Sequence, residues 1–545
     1  VANLGQQIAD GLGFTYLRDM RRYAHAKLRQ RLHVLEGDAP ATGQDRTFRD
    51  QLRALNKAPR GARGMSMAGL DGRASGGLPT MPTHPDTAVR TTLRTLRARS
   101  RHQVANDPYA RKVVREFGSN VVGPTGVTLQ SRAVDPNGKP DRGAREAIEK
   151  AWALWCRRGC CDVTGGRSFS DVQRLWITGI VQDGESLVRM WHGRQWNRYS
   201  LAVQVVDPEL VDVDLDAELA GDNHVRMGVE LDPWERPAAY YLSELAAGPT
   251  LMGYGYHAVR RHRVEADRLL HGFLPDQPGQ TRGLPLLSPV LLRMAMLSGF
   301  EDAAVMAARI GAAKMGFFTS ADGEGYKGQA KDADGGLFMD VEPGTFEQLP
   351  HGVDFKGWDP KYPDGDVGPF SAHMLRGVAA GTTVPYHNLA QDPASANYSS
   401  LRAFSIEARQ VWRIYQDHLV ESLVRPVFEQ WLRVQLAAGT LVTGKGQLRP
   451  DRLDKYLAVD FQPMTWDGVD PLKDAQANLL NVQNGWATPQ EIITGRGRDP
   501  EAVVAELASW QEMLAAAGLP PAPAVSVVTV TEDEDKPEGA EDAEK

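Results

Sequence analysis

RGLPLLSPVLLRMAMLSGFEDAAVMAARIGAAKMGFF, residues 282–318, is the stretch from which the rest of the chain is read. Ser288 is placed to cap a helix, and Pro289 suits a first helical position because its missing N–H has no partner there. Nothing else stops the helix before Met315, so it should run about 40 Å at 1.5 Å per residue. Between Pro289 and Met315 only Arg293, Glu301, Asp302, Arg309 and Lys314 carry charge. Ala303, Ala307 and Gly311 form one small-residue row at i, i+4 spacing, and Ala304, Ala308 and Ala312 form a second. Such rows let neighbouring helices approach closely. A helix this apolar has to be covered. Two arrangements do that: the central helix of a large core, or a helix packed against copies of itself.

Working outward, 545 residues suggest three or four structural units. Hydrophobic content of 42% and charged content of 24% fit an ordinary globular protein. A net charge of -7 excludes a protein that coats nucleic acid through overall positive charge, while leaving room for local basic patches. The cysteines, Cys156, Cys160 and Cys161, fall in CRRGCC, which is neither C-x-x-C nor half of a zinc site, so free thiols in a reducing compartment are expected. The first residues lack the basic-then-apolar order of a signal peptide. The most apolar run, residues 283–300, is interrupted by Pro285, Pro289 and Arg293, a poor membrane span.

Residues 1–63 are basic and amphipathic, and 59–86 read as a Gly/Pro/Ser/Met-rich linker. A helix is predicted from Thr87, with Val89, Leu93, Leu96 and Val104 near one face; Asp107-Pro108 breaks it and starts the next. AREAIEKAWALWCRRG places Ile148, Trp152 and Trp155 at helical spacing, a core stripe. Residues 200–275 are mainly strands. In VDVDLD, Asp212, Asp214 and Asp216 alternate with apolar residues, which predicts a strand with one solvated face, or less simply a hard-cation site. Residues 319–366 form a β-containing excursion with GLFMDV and GTFEQL as strands. A short helix, PFSAHMLRGVAAG, leads to the polar loop NLAQDPASANYSS. A second long helix, capped by Ser399 or Ser400, runs over residues 401–436 and is kinked at Pro426. A strand at 456–466 and three capped helices follow, then an acidic tail expected to be disordered.

Catalytic signatures fail one by one. GTLVTGKG, residues 439–446, nearly matches a phosphate-binding loop, but Gly446 stands where Ser or Thr should hold magnesium, and no helix follows. There is no H-E-x-x-H and no G-x-S-x-G. His257, His262 and His271 lie among arginines, poor company for a metal, and are expected at surfaces or turns. No cofactor, catalytic or metal site emerges, which favours a structural component over an enzyme.

Five segments in order carry a resemblance: RARSRHQVANDPYARKVVREFGSNVVG, ADRLLHGFLPDQPGQTRGLPLLSPVLLRM, FKGWDPKYPDGDVGPF, LRGVAAGTTVPYHNLAQDPASANYSSLRAF and DPLKDAQA. Over about residues 90–520 the chain resembles the lambda-family portal proteins of tailed bacteriophages. The resemblance implies a helix-rich α+β portal fold of wing, stem, clip and crown, assembling into a ring, usually of twelve subunits. Double-stranded DNA passes through it during packaging and ejection. The implied partners are the terminase large subunit, the major capsid protein and head-completion or tail adaptor proteins, at the capsid vertex and, during assembly, in the host cytoplasm.

Mapped onto this chain, residues 1–88 are a basic arm and linker, 89–285 the wing and 286–318 a first stem helix. The clip is 319–366 and the second stem helix 367–388. The tunnel loop and kinked helix occupy 389–440, a wing strand and crown-like helices 441–520, and the acidic tail 521–545. Gln391, Asp392, Ser395, Asn397, Tyr398 and Ser399 would face DNA. Ala303, Ala304, Ala307, Ala308, Gly311 and Ala312 would pack the stem, and Pro426 would kink the helix. A terminase-like ATPase and a monomeric scaffold or adaptor are the alternatives. The first needs the phosphate loop that Gly446 breaks; the second predicts a single-chain mass in solution.

Overall fold

The computed structural model describes residues 83–219, 221–245, 258–312, 316–320, 353–357, 367–393, 397–466, 468 and 471–520. The basic arm, most of the linker, His257, both strands expected at 336–349 and the acidic tail lie outside the described residues.

Helix α1 spans Pro85–Asn106 and α2 spans Pro108–Phe117. α1 starts inside the expected linker because His84 Nδ1 accepts the Asp86 N–H at 3.3 Å and Pro85 fits the first turn. Asp107 ends α1 and caps α2, its carboxylate accepting from Tyr109 and Ala110 N–H at 2.7 and 2.9 Å. β1 (Thr128–Ser131) leads to α3 (Arg142–Trp155) and α4 (Phe169–Asp183). The tryptophan stripe on α3 is core: Trp152 stacks on Trp155 at 4.9 Å and meets Phe428 and Trp431 edge-on at 5.3 and 5.2 Å.

β2 (Ser186–His192) lies between β3 (Leu201–Val206) and β9 (Leu269–Gly272), antiparallel to both. The intervening chain forms a five-stranded meander: β4 (Ala217–Glu218), β5 (His224–Arg226), β6 (Val229–Leu231), β7 (Pro237–Leu245) and β8 (Ala258–Glu265), in that order. VDVDLD is not the expected strand but a turn joined to β7 by a single bridge at Val211. Its carboxylates are paired with arginines, although Asp214 and Asp216 remain exposed. Asp212 pairs with Arg261 at 2.5 Å, Asp214 with Arg94 at 2.8 Å and Asp216 with Arg90.

Helix α5 covers Leu291–Ala312. It begins later than expected because residues 286–290 form turns, and Ser288, rather than accepting as a cap, donates its hydroxyl to the Pro285 carbonyl at 2.6 Å. Nor does helix extend to 318: Gly316–Ser320 is β10, paired antiparallel with β11 (Val353–Gly357). α6 (Val367–Thr382) is followed by α7 (Tyr386–Ala390), so the front of the expected polar loop is helical. α8 (Tyr398–Leu419) is capped by Asn397, not Ser399 or Ser400: Asn397 Oδ1 accepts the Ser400 N–H at 2.8 Å and Ser400 Oγ accepts the Asn397 N–H at 3.1 Å. A five-residue π-turn, Val420–Val424, joins α8 to α9 (Arg425–Ala438). Pro426 lacks the N–H that Ser422 would accept, and its ring crowds that carbonyl; the wider turn accommodates both.

The phosphate-loop near-match is a β-hairpin, β12 (Val442–Thr443) against β13 (Gly446–Gln447), with Gly446 at φ 108°. α10 (Leu453–Leu457) and β14 (Val459–Gln462), which pairs with β1, precede α11 (Pro471–Gln483), α12 (Pro489–Gly495) and α13 (Pro500–Ala516).

Candidate functional site

α5 and α6 pack antiparallel, as three contacts show. Val290 meets Gly381, Arg293 meets Gly377 and donates to Met374 Sδ at 3.8 Å, and Phe300 meets Phe370 with centroids 4.5 Å apart. A Cβ on Gly377 would overlap the Arg293 guanidinium, and one on Gly381 would stand 2.5 Å from Val290 Cγ1. The close approach therefore uses glycines of α6 at i, i+4, which the sequence reading passed over in favour of the alanine rows of α5.

The alanine rows run on from this same flank, since Ala304 and Ala307 follow Phe300 at i+4 and i+7. α5 buries Leu291, Met294 and Leu297 and nothing from Ser298 to Arg309. Leu292 is 69% exposed, Met296 58%, Val305 51% and Met306 54%, so within one chain the helix is not the centre of a core. Ala303 and Ala308 are exposed, and Ala304 and Ala307 half-buried; Gly311 and Ala312 belong to the helix, but their surroundings lie outside the description.

After α7 the chain turns on Gln391, exposed at φ 53° with its amide donating to the Asn388 carbonyl at 2.8 Å. Asp392 is tied back: its carboxylate accepts from Tyr386 Oη at 3.2 Å, and its carbonyl lies 2.8 Å from His387 Nδ1. The Arg376 guanidinium lies 5.1 Å from the centre of the Tyr386 ring. Ser395 lies outside the described residues. Asn397 is occupied as a helix cap, and Tyr398 and Ser399 belong to the first turn of α8 rather than to a loop.

What holds this apparatus to the sheets is a buried charge cluster. Glu185, fully buried after the left-handed Gly184, accepts from Arg97 Nη2 at 2.9 Å, from Arg282 Nε at 2.9 Å, from His271 Nε2 at 3.0 Å and from the Gly283 N–H at 3.1 Å. Arg282 also donates to the carbonyls of Val211, Met227 and Pro208 at 3.2, 2.8 and 3.1 Å. Burial pushes the Glu185 carboxyl up, but the Arg282 charge, the His271 hydrogen bond and Arg97 together hold it well below the usual carboxylate range. Gly184 and Gly283 touch backbone to backbone, and a Cβ on either would overlap the other segment. His271 is thus a buried strand residue, not the surface or turn histidine expected.

Among the described residues no group of His, Cys, Asp and Glu is arranged to hold a metal ion, and no helix is long and apolar enough to cross a membrane. All three cysteines are free; burial pushes the Cys161 thiol up to about 12 and that of Cys156 well up, so neither is a ready thiolate.

Residues 71–416 match the family described as phage portal protein, lambda family. The chain is 32% identical over 432 residues to the probable portal protein of Halomonas phage phiHAP-1, covering 78% of this chain and 82% of that one. It is 22% identical over 458 residues to portal protein B of Escherichia phage lambda, covering 78% and 84%. Among solved structures, a chain from the neck of an empty GTA particle aligns with a TM-score of 0.41 at 16% identity, over 75% of this chain and 94% of that one.

Proposed function

This chain belongs to the lambda family of phage portal proteins, and from that premise we propose that about twelve copies close into a ring at one capsid vertex, through which double-stranded DNA enters and leaves the head. The observation that carries this reading is the apolar surface that α5 leaves exposed. Leu292, Met296 and Met306 line one face with Ala303, and Val305 and Ala308 stand exposed on the other side, beside a helix pair that is already packed. Burying such side chains contributes about 1.5–3 kcal/mol each when complete, so the half still exposed here is worth roughly 1 kcal/mol apiece against a sister helix.

In this reading α5 and α6 are the stem, and Ala303, Ala304, Ala307, Ala308, Gly311 and Ala312 are the seam between neighbours. Residues 319–366 are the clip, offered first to the terminase large subunit and later to head-completion or tail adaptor proteins. Residues 89–285 and the 441–466 strand region build the wing, set against the major capsid protein. α11, α12 and α13 are crown-like. The protein resides in the virion after assembly in the host cytoplasm. No catalysis is assigned to it.

Residues 391–399 are the tunnel segment. Residues 388–401 contain no Lys or Arg. Each phosphate neutralised by a cation adds salt-dependent grip, so a surface without cations lets DNA slide. Asp392 contributes through its fixed turn, not as a free charge facing the bore. The π-turn before Pro426 sets the direction in which α8 carries that segment.

Sedimentation tests the ring. Wild-type protein should sediment as a closed oligomer, and Ala308→Arg, which puts a cation on the seam at a position exposed in the single chain, should sediment as one chain with unchanged helix content. A ring that tolerates Ala308→Arg would refute the seam.

A further inference from the structure

One surface is unused by any role above: the loop joining β2 to β3. From Ser186 to Val206 the chain has no Asp or Glu, although the whole protein carries a net charge of -7. In that span stand Arg189, Arg194 and Arg198, with Trp191, Trp196 and Tyr199 between or beside them.

The loop is held in one shape. Its N–H and carbonyl groups at Gly193 and Ser200 close the strand ends at 2.9 Å, and Trp196 N–H donates to the Gly193 carbonyl at 3.3 Å. The Asn197 amide donates to the carbonyls of Cys160 and Leu201, both at 2.6 Å, which fastens the loop to the CRRGCC turn. That turn presents Arg157 and Arg158 to solvent. The Arg189 guanidinium lies 4.0 Å from the Trp191 ring centre, and Trp191 and Trp196 are 5.1 Å apart. Arg198 lies over the Tyr199 ring at 4.8 Å. Arg268 sits just before Leu269, the cross-strand partner of Arg189.

Among the described residues, Arg157, Arg189, Arg194, Arg198 and Arg268 form no ion pair with a carboxylate, unlike Arg90, Arg94, Arg97 and Arg101 of α1. Burial and the charge of Arg268 both lower the Arg189 pKa, and the same two causes lower that of His192, against a smaller opposing effect of Asp267. Like charges held together on a fixed frame disfavour one another until an anion arrives. Guanidinium forks held against aromatic rings lose little freedom when they bind one, and they match phosphate geometry in two-pronged contacts.

We propose that the β2–β3 loop face, with the adjoining Arg157–Arg158 turn, binds the phosphate backbone of double-stranded DNA outside the tunnel. The choice of duplex DNA as the polyanion rests on the portal reading. The site is sequence-independent, since guanidiniums on phosphates carry no base readout. It is the chemical opposite of residues 388–401: the tunnel segment lets the genome slide, and this loop grips it.

The test uses the full-length protein and a short fluorescein-labelled blunt duplex, with anisotropy read across a salt series. Comparing wild type with the triple variant Arg189→Gln, Arg194→Gln, Arg198→Gln, affinity at moderate salt should fall roughly tenfold or more, and the slope of log affinity against log salt should drop by roughly 2 to 3. The matching triple lysine variant should keep most of the slope, because the charges remain. Arg449→Gln, which removes an exposed cation paired with Asp451, should change neither. Equal DNA binding by wild type and the glutamine variant overturns the proposal. So does a lysine variant that loses as much slope as the glutamine one, which makes the effect structural. A glutamine variant that keeps its DNA affinity but no longer forms rings also overturns it, by assigning the arginines to subunit contacts. The portal reading survives any of these results provided wild-type rings form.

Discussion

Replacing Glu185 with Gln removes one charge and almost no volume, and the structure places that charge between two guanidiniums that have no solvent to turn to. Glu185 and Arg282 are fully buried and Arg97 nearly so. The carboxylate accepts from both arginines, from His271 and from the Gly283 N–H. An amide has one acceptor oxygen and presents an NH2 to groups that are themselves donors. Breaking a buried pair by removing one partner typically costs about 3–5 kcal/mol. With a urea slope of about 3 kcal/mol/M for a protein of this size, the midpoint of the first cooperative transition should fall by roughly 1–1.7 M. Tryptophan fluorescence is a suitable probe because Trp155 and Trp176 are buried in the adjoining core.

The sign with pH follows from the depressed carboxyl. A group whose folded pKa lies below its unfolded value, about 4.3 for Glu, stabilises fully above that value and progressively less below it. Wild type should therefore lose part of its advantage as pH falls below about 4, and the gap to Glu185→Gln should narrow. A midpoint within about 0.3 M of wild type at neutral pH, or a gap that widens in acid, would refute the reasoning.

Other expectations follow from the same geometry. Gly283→Ala should lower stability by about 2 kcal/mol or more in a thermal melt, because its methyl group meets the Gly184 carbonyl and backbone cannot step aside. Gly377→Leu should separate α5 from α6 and lower the thermal midpoint, since the Arg293 side chain occupies the space. Pro426→Ala should let the π-turn relax toward regular helix, with DNA packaging reduced in a reconstituted head; wild-type packaging would count against a role for the bend in aiming the tunnel segment. Asn397→Ala should cost about 1 kcal/mol by removing the α8 cap, visible as fraying in amide exchange at Ser399 and Ser400.

Local chemistry was legible in the sequence wherever it was decided locally. Asp107-Pro108 marks a helix junction by itself, the Trp152 and Trp155 stripe announces a buried face, and the Pro starts and Gly stops of the last helices need no tertiary information. Gly446 and the missing helix after it argued against a phosphate-binding loop, and the hairpin there explains why a glycine is wanted: φ is 108°. The clamp around Glu185 was hidden because its partners lie 88 and 97 residues away along the chain, and Arg97 sits in a helix whose basic composition suggests solvent. VDVDLD was misjudged because alternation describes a strand equally well as a turn whose acids meet arginines from α1 and β8. The exposure of α5 was half legible. The sequence showed that the helix needed covering, and the structure shows that its own chain leaves Leu292, Met296, Val305 and Met306 uncovered. Tyr398 and Ser399 were placed in a loop because Ser399 and Ser400 are ordinary cap candidates; the reciprocal bond between Asn397 and Ser400 moves the helix start forward.

The most direct measurement is a top view of the purified full-length protein by electron microscopy, carried to a map in which side chains on α5 and residues 391–399 can be placed. The account predicts a closed ring with a central bore, Ala303 to Ala308 of each copy against a neighbour, and residues 391–399 at the bore's edge. Single-chain particles under conditions where phage heads assemble would contradict it, as would a ring whose α5 alanines face solvent.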